Sequence, residues 1–200
     1  MTTFYIVRHG ETFFNQIGRV QGWCDSPLTE KGIQQAKQLH IGLSNIVFDR
    51  AYCSTSERAM DTASYIIGNR EIPLTFCKGL KELHFGSYEA EYAKDVFPNG
   101  SSGLSGFSHL GGEEKIDGRT RFMKTLTEIG EQYPEDIVLI VTHGSILKEA
   151  LLPLSKEFHD LYLEANGNVK KLLPNCSVTI FTYKESSFSV SEFGNTSYLG

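Results

Sequence analysis

Residues 4–12 read FYIVRHGET: four apolar residues, a cation, an imidazole, a glycine and two polar residues. The apolar run over 3–7 predicts a buried β-strand. In open α/β folds, ligands bind at the carboxyl edge of the parallel strands. A histidine beside an arginine at that edge suits phosphoryl capture, because the imidazole can attack phosphorus while the guanidinium neutralises the phosphoryl oxygens. The stretch therefore predicts a site at Arg8 and His9, although the tripeptide alone also fits a strand that turns into a loop.

A second histidine follows the most apolar strand of the chain. Residues 137–141 are five consecutive apolar residues, typical of a parallel strand that is buried on both faces. Thr142, His143 and Gly144 follow at once. Because parallel strands end at the same edge of a sheet, we expect His143 to lie near His9.

A third segment, residues 53–59, reads CSTSERA and predicts a strand that passes into a helix with Arg58 in its first turn. Helix N-termini bind anions, and an arginine there is unfavourable with respect to the helix dipole. Arg58 is thus predicted to serve a bound anion. Pairing with Glu57 or Asp61 on the surface is the alternative.

The acid of the site has two candidates. Transfer of a phosphoryl group from an alcohol ester needs an acid that protonates the departing oxygen. Glu82 lies among apolar neighbours, which would raise its pKa towards neutrality. Glu89 is the rival, and it is also compatible with a solvated surface carboxylate.

Strands and helices alternate along the chain, which predicts an α/β fold. We expect one domain over residues 1–200, built as a three-layer sandwich with a mostly parallel central sheet and helices on both faces. Predicted strands cover 3–7, 48–53, 73–77, 137–141, 178–183 and 188–191, the last two as a hairpin. Predicted helices begin after the caps Thr29 and Ser56, cover about 113–133, and run from Gly144 to a point before Pro153.

A segment rich in glycine and serine interrupts this alternation. Nine of the fourteen residues from Asn99 to Gly112 are Gly or Ser. The composition fits a surface loop and fits a lid over the site equally well. We predict a lid-like insertion at about 85–112.

Composition narrows the function classes. The net charge of −5 argues against nucleic-acid binding, since phosphate backbones are bound by basic patches. The four cysteines form no Cys-x-x-Cys pair, so no zinc site or redox motif is indicated. No stretch reaches the roughly 18 apolar residues of a membrane span, and no leader peptide is recognised. We expect a cytoplasmic protein that needs no metal or cofactor, and we leave a homodimer open.

These segments together resemble the histidine phosphatase superfamily, also called the phosphoglycerate mutase-like family. The resemblance extends from about Phe4 to Gly144 and is specific, because the motifs recur in order. The matching segments are Arg8 to Thr12 with Asn15, Gly22 to Gly32, Ser54 to Ala63, Glu82, Gly111 to Glu113, and Thr142 to Gly144.

The resemblance implies a role for each matched position. His9 is similar to the nucleophile that becomes phosphohistidine, and Glu82 to the proton donor. A cationic cage around the phosphoryl group is implied for Arg8, Arg58 and His143, and a further phosphate donor for Asn15. Substrate contacts are implied at Thr12, Gln21, Gly22 and Gly144.

The predicted function is that of a metal-independent phosphatase of the histidine acid type, which hydrolyses small organic phosphates through phosphohistidine. The alternative is a 2,3-bisphosphoglycerate-dependent phosphoglycerate mutase, and a third reading is an inactive module that binds phosphorylated ligands. Members with mutase activity resemble one another in an insertion with paired arginines, whereas residues 85–112 hold one lysine, Lys94, and no arginine. Phe85 also stands where such members tend to carry tyrosine. Sugar phosphates, nucleotides, phosphoglycerates, a cobalamin-pathway phosphate and phosphoproteins remain open as substrates.

Overall fold

The computed structural model describes residues 1–97 and 106–200. Within these ranges the strands are β1 (Thr2–Arg8), β2 (Arg50–Ser54), β3 (Leu74–Cys77), β4 (Ile137–Thr142), β5 (Val178–Lys184) and β6 (Ser187–Asn195). The α-helices are α1 (Phe13–Ile17), α2 (Glu30–Gly42), α3 (Glu57–Ile67), α4 (Ala93–Val96), α5 (Lys115–Gln132), α6 (Gly144–Leu154), α7 (Lys156–Glu164) and α8 (Val169–Leu172). Short 3₁₀ turns cover Lys78–Leu80, Gly86–Tyr88, Ser108–Leu110 and Ser197–Leu199.

The six strands form one sheet in the order β3-β2-β4-β1-β5-β6. The pairings among β3, β2, β4 and β1 are parallel. Strands β5 and β6 add to the side of β1 as an antiparallel hairpin. The mostly parallel sheet that the sequence predicts is therefore confirmed, and β4 lies inside it as its apolar sequence requires.

The sheet separates two apolar cores. Alternate residues of β4 point to opposite faces, because side chains alternate along a strand. Val138 and Ile140 pack in the core that includes residues of α5 and α6. Leu139 and Val141 pack in the core that includes residues of α2 and α3. Helices thus cover both faces, which confirms the three-layer architecture.

Some helix boundaries differ from the prediction. Pro153 lies inside α6, which ends at Leu154. A proline removes one N–H donor, and so close to the helix end this loss affects only the last turn. Ser56 stands at the N-cap of α3 but makes no capping hydrogen bond, whereas Thr29 caps α2 by accepting from the Gly32 N–H.

Helices α1, α4, α7 and α8 lie where the sequence analysis predicts no helix. Helix α7 did carry a signal: Ser155 accepts a hydrogen bond from the Phe158 N–H, three residues later, and Glu157 lies in the first turn. The others are four or five residues long, too short for an apolar periodicity to develop.

The lid-like insertion at about 85–112 stays a prediction. Residues 98–105, its centre, lie outside the described residues. Phe107, which follows this gap in the chain, is buried, and its ring centroid lies 4.8 Å from that of Phe85.

No helix of the described residues is both long and apolar enough to cross a membrane.

Candidate active site

The parallel pairing of β1 and β4 brings the two histidines together. Arg8 stands opposite Thr142 in the register, and the His9 N–H donates to the Thr142 carbonyl at 2.9 Å. The next residue of each strand is a histidine, and the rings of His9 and His143 lie 5.3 Å apart between centroids. The predicted meeting of these side chains at one sheet edge is thus observed.

His9 is oriented by its own loop. Its Nδ1 lies 2.8 Å from the carbonyl oxygen of Gly10. A carbonyl only accepts, so Nδ1 carries the proton and Nε2 keeps a lone pair. Burial lowers the pKa of His9 well below its usual range, and the charges of Arg58 and Arg8 lower it further. The ring is therefore neutral at pH 7, which is the state that a nucleophile needs.

His143 is held from the neighbouring strand. Its Nε2 lies 2.7 Å from the hydroxyl of Ser54, the last residue of β2. Its Nδ1 is buried and has no hydrogen-bond partner among the described residues. Burial, followed by the charge of Arg58, lowers the pKa of His143 well below the usual range. His143 is thus a second neutral imidazole beside His9, and its Nδ1 is free to contact a ligand as far as the described residues are concerned.

Arg58 is fully buried, at 0% exposure, although it lies in the first turn of α3. Its Nη1 contacts the Asp25 carboxylate at 2.8 Å, and its Nη2 donates to the Gly22 carbonyl at 2.8 Å. Its Nε has no partner among the described residues. Burial and the pairing with Asp25 exclude the alternative of a surface pair with Glu57 or Asp61.

Arg8 is the second buried cation. Its Nη1 donates to the Leu173 carbonyl at 2.5 Å, while its Nε lacks a partner in the described chain. Burial lowers the pKa of Arg8 to about 10. The negative charge of Glu82 opposes this change, and the positive charge of Arg58 adds to it. Two guanidinium groups thus lie at one sheet edge, each with an Nε–H that is unused within the described chain, and together they can bind a small dianion.

Glu82 caps the N-terminus of α6. Its Oε2 accepts from the Ser145 N–H at 2.8 Å, and its Oε1 accepts from the N–H groups of Leu83 and Ile146 at 2.9 and 2.6 Å. Burial nevertheless dominates and raises the pKa of Glu82, although these backbone donors oppose the change. A carboxyl group with a raised pKa can hold and release a proton beside the histidines.

Glu89 has a different environment, which separates the two candidate acids. Its Oε1 accepts from the N–H groups of Trp23 and Phe85 at 2.9 and 3.0 Å. Its Oε2 accepts from those of Gly22 and Cys24 at 3.1 and 3.0 Å. Burial raises the pKa of Glu89, but a hydrogen bond from the Cys24 side chain and those from the backbone N–H groups of Trp23, Phe85 and Cys24 outweigh it, so the net pKa is lowered. Glu89 is therefore an anion that holds the 22–24 loop in place.

The predicted substrate-contacting residues surround the same edge. Thr12 caps α1 and donates from its hydroxyl to Oε1 of Gln21 at 2.7 Å. Asn15 accepts from the Thr12 N–H at 3.3 Å. A side chain at Gly22 would place its Cβ 2.3 Å from the Leu83 carbonyl oxygen, and one at Gly144 would crowd the Arg8 Nε at 3.1 Å. A side chain at Gly22 would thus clash with the backbone, whereas one at Gly144 would press on the Arg8 guanidinium.

Two residues of this site were not predicted. Asn175 donates from Nδ2 to the His9 carbonyl at 2.9 Å and to Oδ1 of Asn15 at 3.1 Å, so it links the loop of His9 to α1. No local pattern marks it, since both contacts join residues at least 160 positions apart. Asp25, the partner of Arg58, lies inside a matching segment, but spacing gave no sign of this pair.

Arg121, on α5, is a further cation close to the segment that carries Glu82. Its Nη1 donates to the carbonyls of Gly79 and Lys81 at 2.8 and 2.9 Å, and its Nη2 pairs with Glu113 at 2.6 Å. The guanidinium is thus bound to the segment that carries Glu82, at 3.2 Å from its carbonyl. Arg121 supports that segment and leaves few donors for a ligand.

The chain belongs to the histidine phosphatase superfamily (branch 1), whose family model matches residues 4–196. Among curated relatives, it is 44% identical over 92 residues to the adenosylcobalamin/alpha-ribazole phosphatase of Salmonella typhimurium, a match that covers 46% of each chain. It is 30% identical over 209 residues to the metal-independent phosphoserine phosphatase of Arabidopsis thaliana, covering all of this chain and 84% of the relative. The predicted family is thereby confirmed.

Solved structures of similar fold cover the chain almost completely. YhfR of Bacillus stearothermophilus superposes with a TM-score of 0.82 at 31% identity, over 100% of both chains. A phosphoglycerate mutase of Bacillus anthracis superposes with a TM-score of 0.83 at 28% identity, over 99% of this chain and 95% of its own. Phosphatases and a mutase are thus both among the relatives.

Proposed function

We propose that this protein is a metal-independent phosphomonoesterase that works through a phosphohistidine at His9. The observation that carries the proposal is the state of His9: a buried, neutral imidazole whose Nδ1 proton is bound to Gly10, beside two buried arginines with unused donors. A free Nε2 can attack phosphorus, and the cations stabilise the charge that gathers on the phosphoryl oxygens.

In the first step, Nε2 of His9 forms a bond to phosphorus and the ester P–O bond breaks. The proton on Glu82 passes to the leaving oxygen, so the alcohol departs neutral and Glu82 becomes a carboxylate. Among residues 1–97 and 106–200, the Nε of Arg8, the Nε of Arg58 and the Nδ1 of His143 have no hydrogen-bond partner, so these atoms are available to the phosphoryl group.

In the second step, the Glu82 carboxylate takes a proton from water, and the water oxygen attacks phosphorus. The N–P bond breaks, phosphate leaves, and His9 and Glu82 return to their starting states. The same residue is first acid and then base, as microscopic reversibility allows. Two arginines and a histidine supply the neutralisation that a divalent cation gives in other phosphoryl transfers.

Phosphoglycerate mutase activity is the second candidate, and the mutase among the structural relatives favours it. A mutase must hold a bisphosphorylated acid, which needs several cations beyond the phosphoryl cage. In the described parts of 85–112 the lysine Lys94 is directed at the Tyr92 ring, 5.6 Å from its centroid, and Arg121 is occupied by backbone carbonyls. These contacts support hydrolysis over isomerisation.

The cationic cage of Arg8, Arg58 and His143 suits one phosphoryl group, so we infer that the substrates are small phosphorylated metabolites. The relatives' alpha-ribazole and serine phosphates are members of that class, and we extend only the class to this chain. A cytoplasmic location and a homodimer stay predictions.

The test is a panel of phosphoesters assayed in separate reactions, one set with EDTA and another with vanadate and no chelator. We expect hydrolysis that survives EDTA and is inhibited by vanadate, which mimics the transition state. Activity recovered only after adding a divalent metal would contradict the proposal.

A further inference from the structure

Ser54 is in direct contact with a ring of the site, and the mechanism above does not use it. It is the last residue of β2, and both Ser54 and His143 are fully buried. The Ser54 Oγ lies 2.7 Å from Nε2 of His143. The centroid of the His143 ring in turn lies 5.3 Å from that of the His9 ring. The direction of the hydrogen bond at Nε2 therefore determines what the other nitrogen of His143 offers beside His9.

The imidazole of His143 has two neutral tautomers, because its single proton can stand on Nδ1 or on Nε2. Burial, followed by the charge of Arg58, lowers the pKa of His143, so the ring is neutral at pH 7. Its Nδ1 is buried and has no partner among residues 1–97 and 106–200. A proton on Nε2 would leave a lone pair at Nδ1, which repels phosphoryl oxygens. A proton on Nδ1 gives an N–H that can donate to one of them.

The contacts of Ser54 indicate the direction of the bond. The Ser56 N–H donates to the Ser54 Oγ at 3.3 Å, in a turn that serine commonly makes with the residue two positions later. This contact occupies a lone pair of Oγ and leaves its proton for another acceptor. Two acceptors lie within reach in the described chain, Nε2 of His143 at 2.7 Å and the Ser56 hydroxyl at 3.4 Å.

The shorter of these contacts takes the proton. A separation of 2.7 Å between Ser54 and His143 suits a hydroxyl donor, since N–H donors most often stand about 2.9–3.0 Å from an oxygen. The Ser54 hydroxyl thus donates to Nε2, and a neutral His143 then carries its proton on Nδ1.

We propose that Ser54 is a positioning residue: its hydroxyl donates to Nε2 of His143 and holds the neutral imidazole as the Nδ1–H tautomer, whose N–H donates to a phosphoryl oxygen. The inference rests on the proposed function, and it assigns the state in which His143 meets the phosphoryl group. Hydrogen bonds then run from the Ser56 N–H through Ser54 and the imidazole to the ligand. The end of β2 thus prepares a donor for the phosphoryl group without a charge on His143.

The tautomer can be observed directly in the free protein. Protein labelled with ¹⁵N-histidine is studied in phosphate-free buffer at neutral pH, where long-range ¹H–¹⁵N correlation spectra distinguish the two tautomers, and His143→Ala assigns the signals. We expect Nδ1–H in the wild type. In Ser54→Ala the proton should be shared between both nitrogens, because the donor to Nε2 is gone. A wild-type ring protonated on Nε2 would overturn the inference, whether or not any variant folds.

Ser56→Ala is the matched control. It removes the same kind of hydroxyl two residues further along the same turn, and it keeps the backbone N–H that donates to Ser54. The tautomer of His143 should therefore remain Nδ1–H. A change in Ser56→Ala as large as that in Ser54→Ala would assign the effect to the turn as a whole and refute the specific role of the Ser54 hydroxyl.

Vanadate binding, measured by calorimetry, shows whether the tautomer matters to a ligand. Ser54→Ala should raise the Kd of vanadate by about 10-fold to 100-fold, the usual effect of one charge-assisted hydrogen bond. In a His143→Ala background, Ser54→Ala should add no further loss, because Ser54 acts through that ring. Losses that simply add in the double variant would contradict the proposal.

Spectroscopy and vanadate binding need no turnover, which separates this inference from the proposed function. An Nδ1–H tautomer and a vanadate affinity that both depend on Ser54 support the inference even if no hydrolysis is observed. Hydrolysis by a protein whose His143 carries its proton on Nε2 would refute the role of Ser54 and leave the phosphatase proposal standing.

Discussion

Glu82 and Ser145 are joined by a hydrogen bond of 2.8 Å from the Ser145 N–H to the Glu82 carboxylate. Ser145 is the second residue of α6, and that helix begins directly after His143. The start of one helix therefore positions both the second histidine and the proposed acid. The backbone of α6 therefore determines how far the Glu82 carboxylate lies from the His143 ring.

Replacing Glu82 by glutamine should slow the hydrolysis of alkyl phosphates by roughly 10²-fold to 10⁴-fold. The amide cannot supply the proton that an alkoxide leaving group needs. Aryl phosphates with a weakly basic leaving oxygen should lose far less. The comparison of kcat/KM for glycerol 3-phosphate and p-nitrophenyl phosphate checks this. Equal losses on the two esters would show that Glu82 acts through structure rather than proton transfer.

The pH dependence should report the raised pKa of Glu82. Phosphorylation of His9 needs Glu82 protonated, so kcat/KM for an alkyl ester is highest below the pKa of Glu82 and falls by about tenfold per pH unit above it. That pKa is raised by burial, which places the fall above the usual range of a glutamate. His9 and His143 have lowered pKa values and stay neutral through this window.

A pH series of kcat/KM on glycerol 3-phosphate measures this fall. The Glu82→Gln variant should lack it, since the titrating group is gone. A fall that persists unchanged in Glu82→Gln would assign the titration to another residue.

Glu89→Gln should destabilise the fold by about 1–3 kcal/mol, because the amide nitrogen would face backbone N–H donors that now bind a carboxylate oxygen. Urea denaturation of the variant and the wild type measures this loss. Any loss of activity should be similar for alkyl and aryl esters, unlike that of Glu82→Gln. A selective loss on alkyl esters would make Glu89 the acid.

With 3-phosphoglycerate and added 2,3-bisphosphoglycerate, phosphate release should be faster than isomerisation. The reason is the scarcity of free cations beyond the cage, given that Arg121 is bound to the carbonyls of Gly79 and Lys81. Steady-state assays of inorganic phosphate and 2-phosphoglycerate from the same reaction provide the comparison. Isomerisation faster than hydrolysis would favour the mutase alternative.

Local patterns in the sequence predict the strands and the meeting of His9 with His143, because a strand-end position determines which sheet edge a residue reaches. They do not predict the role of Asn175, since its contacts with His9 and Asn15 depend on how the chain's last third folds back. Nor do they separate Glu82 from Glu89. That distinction rests on whether burial or hydrogen bonding has the larger effect on each carboxyl pKa, and this balance is visible only in the folded chain.

The covalent intermediate is the most direct test of the central claim. Wild-type protein is mixed with substrate, quenched in alkali because phosphohistidine is labile in acid, digested, and analysed by mass spectrometry; His9→Ala serves as the control. The account predicts phosphate on His9 in the wild type, and neither labelling nor turnover in His9→Ala. Phosphate on any other residue, or turnover that persists in His9→Ala, would contradict it.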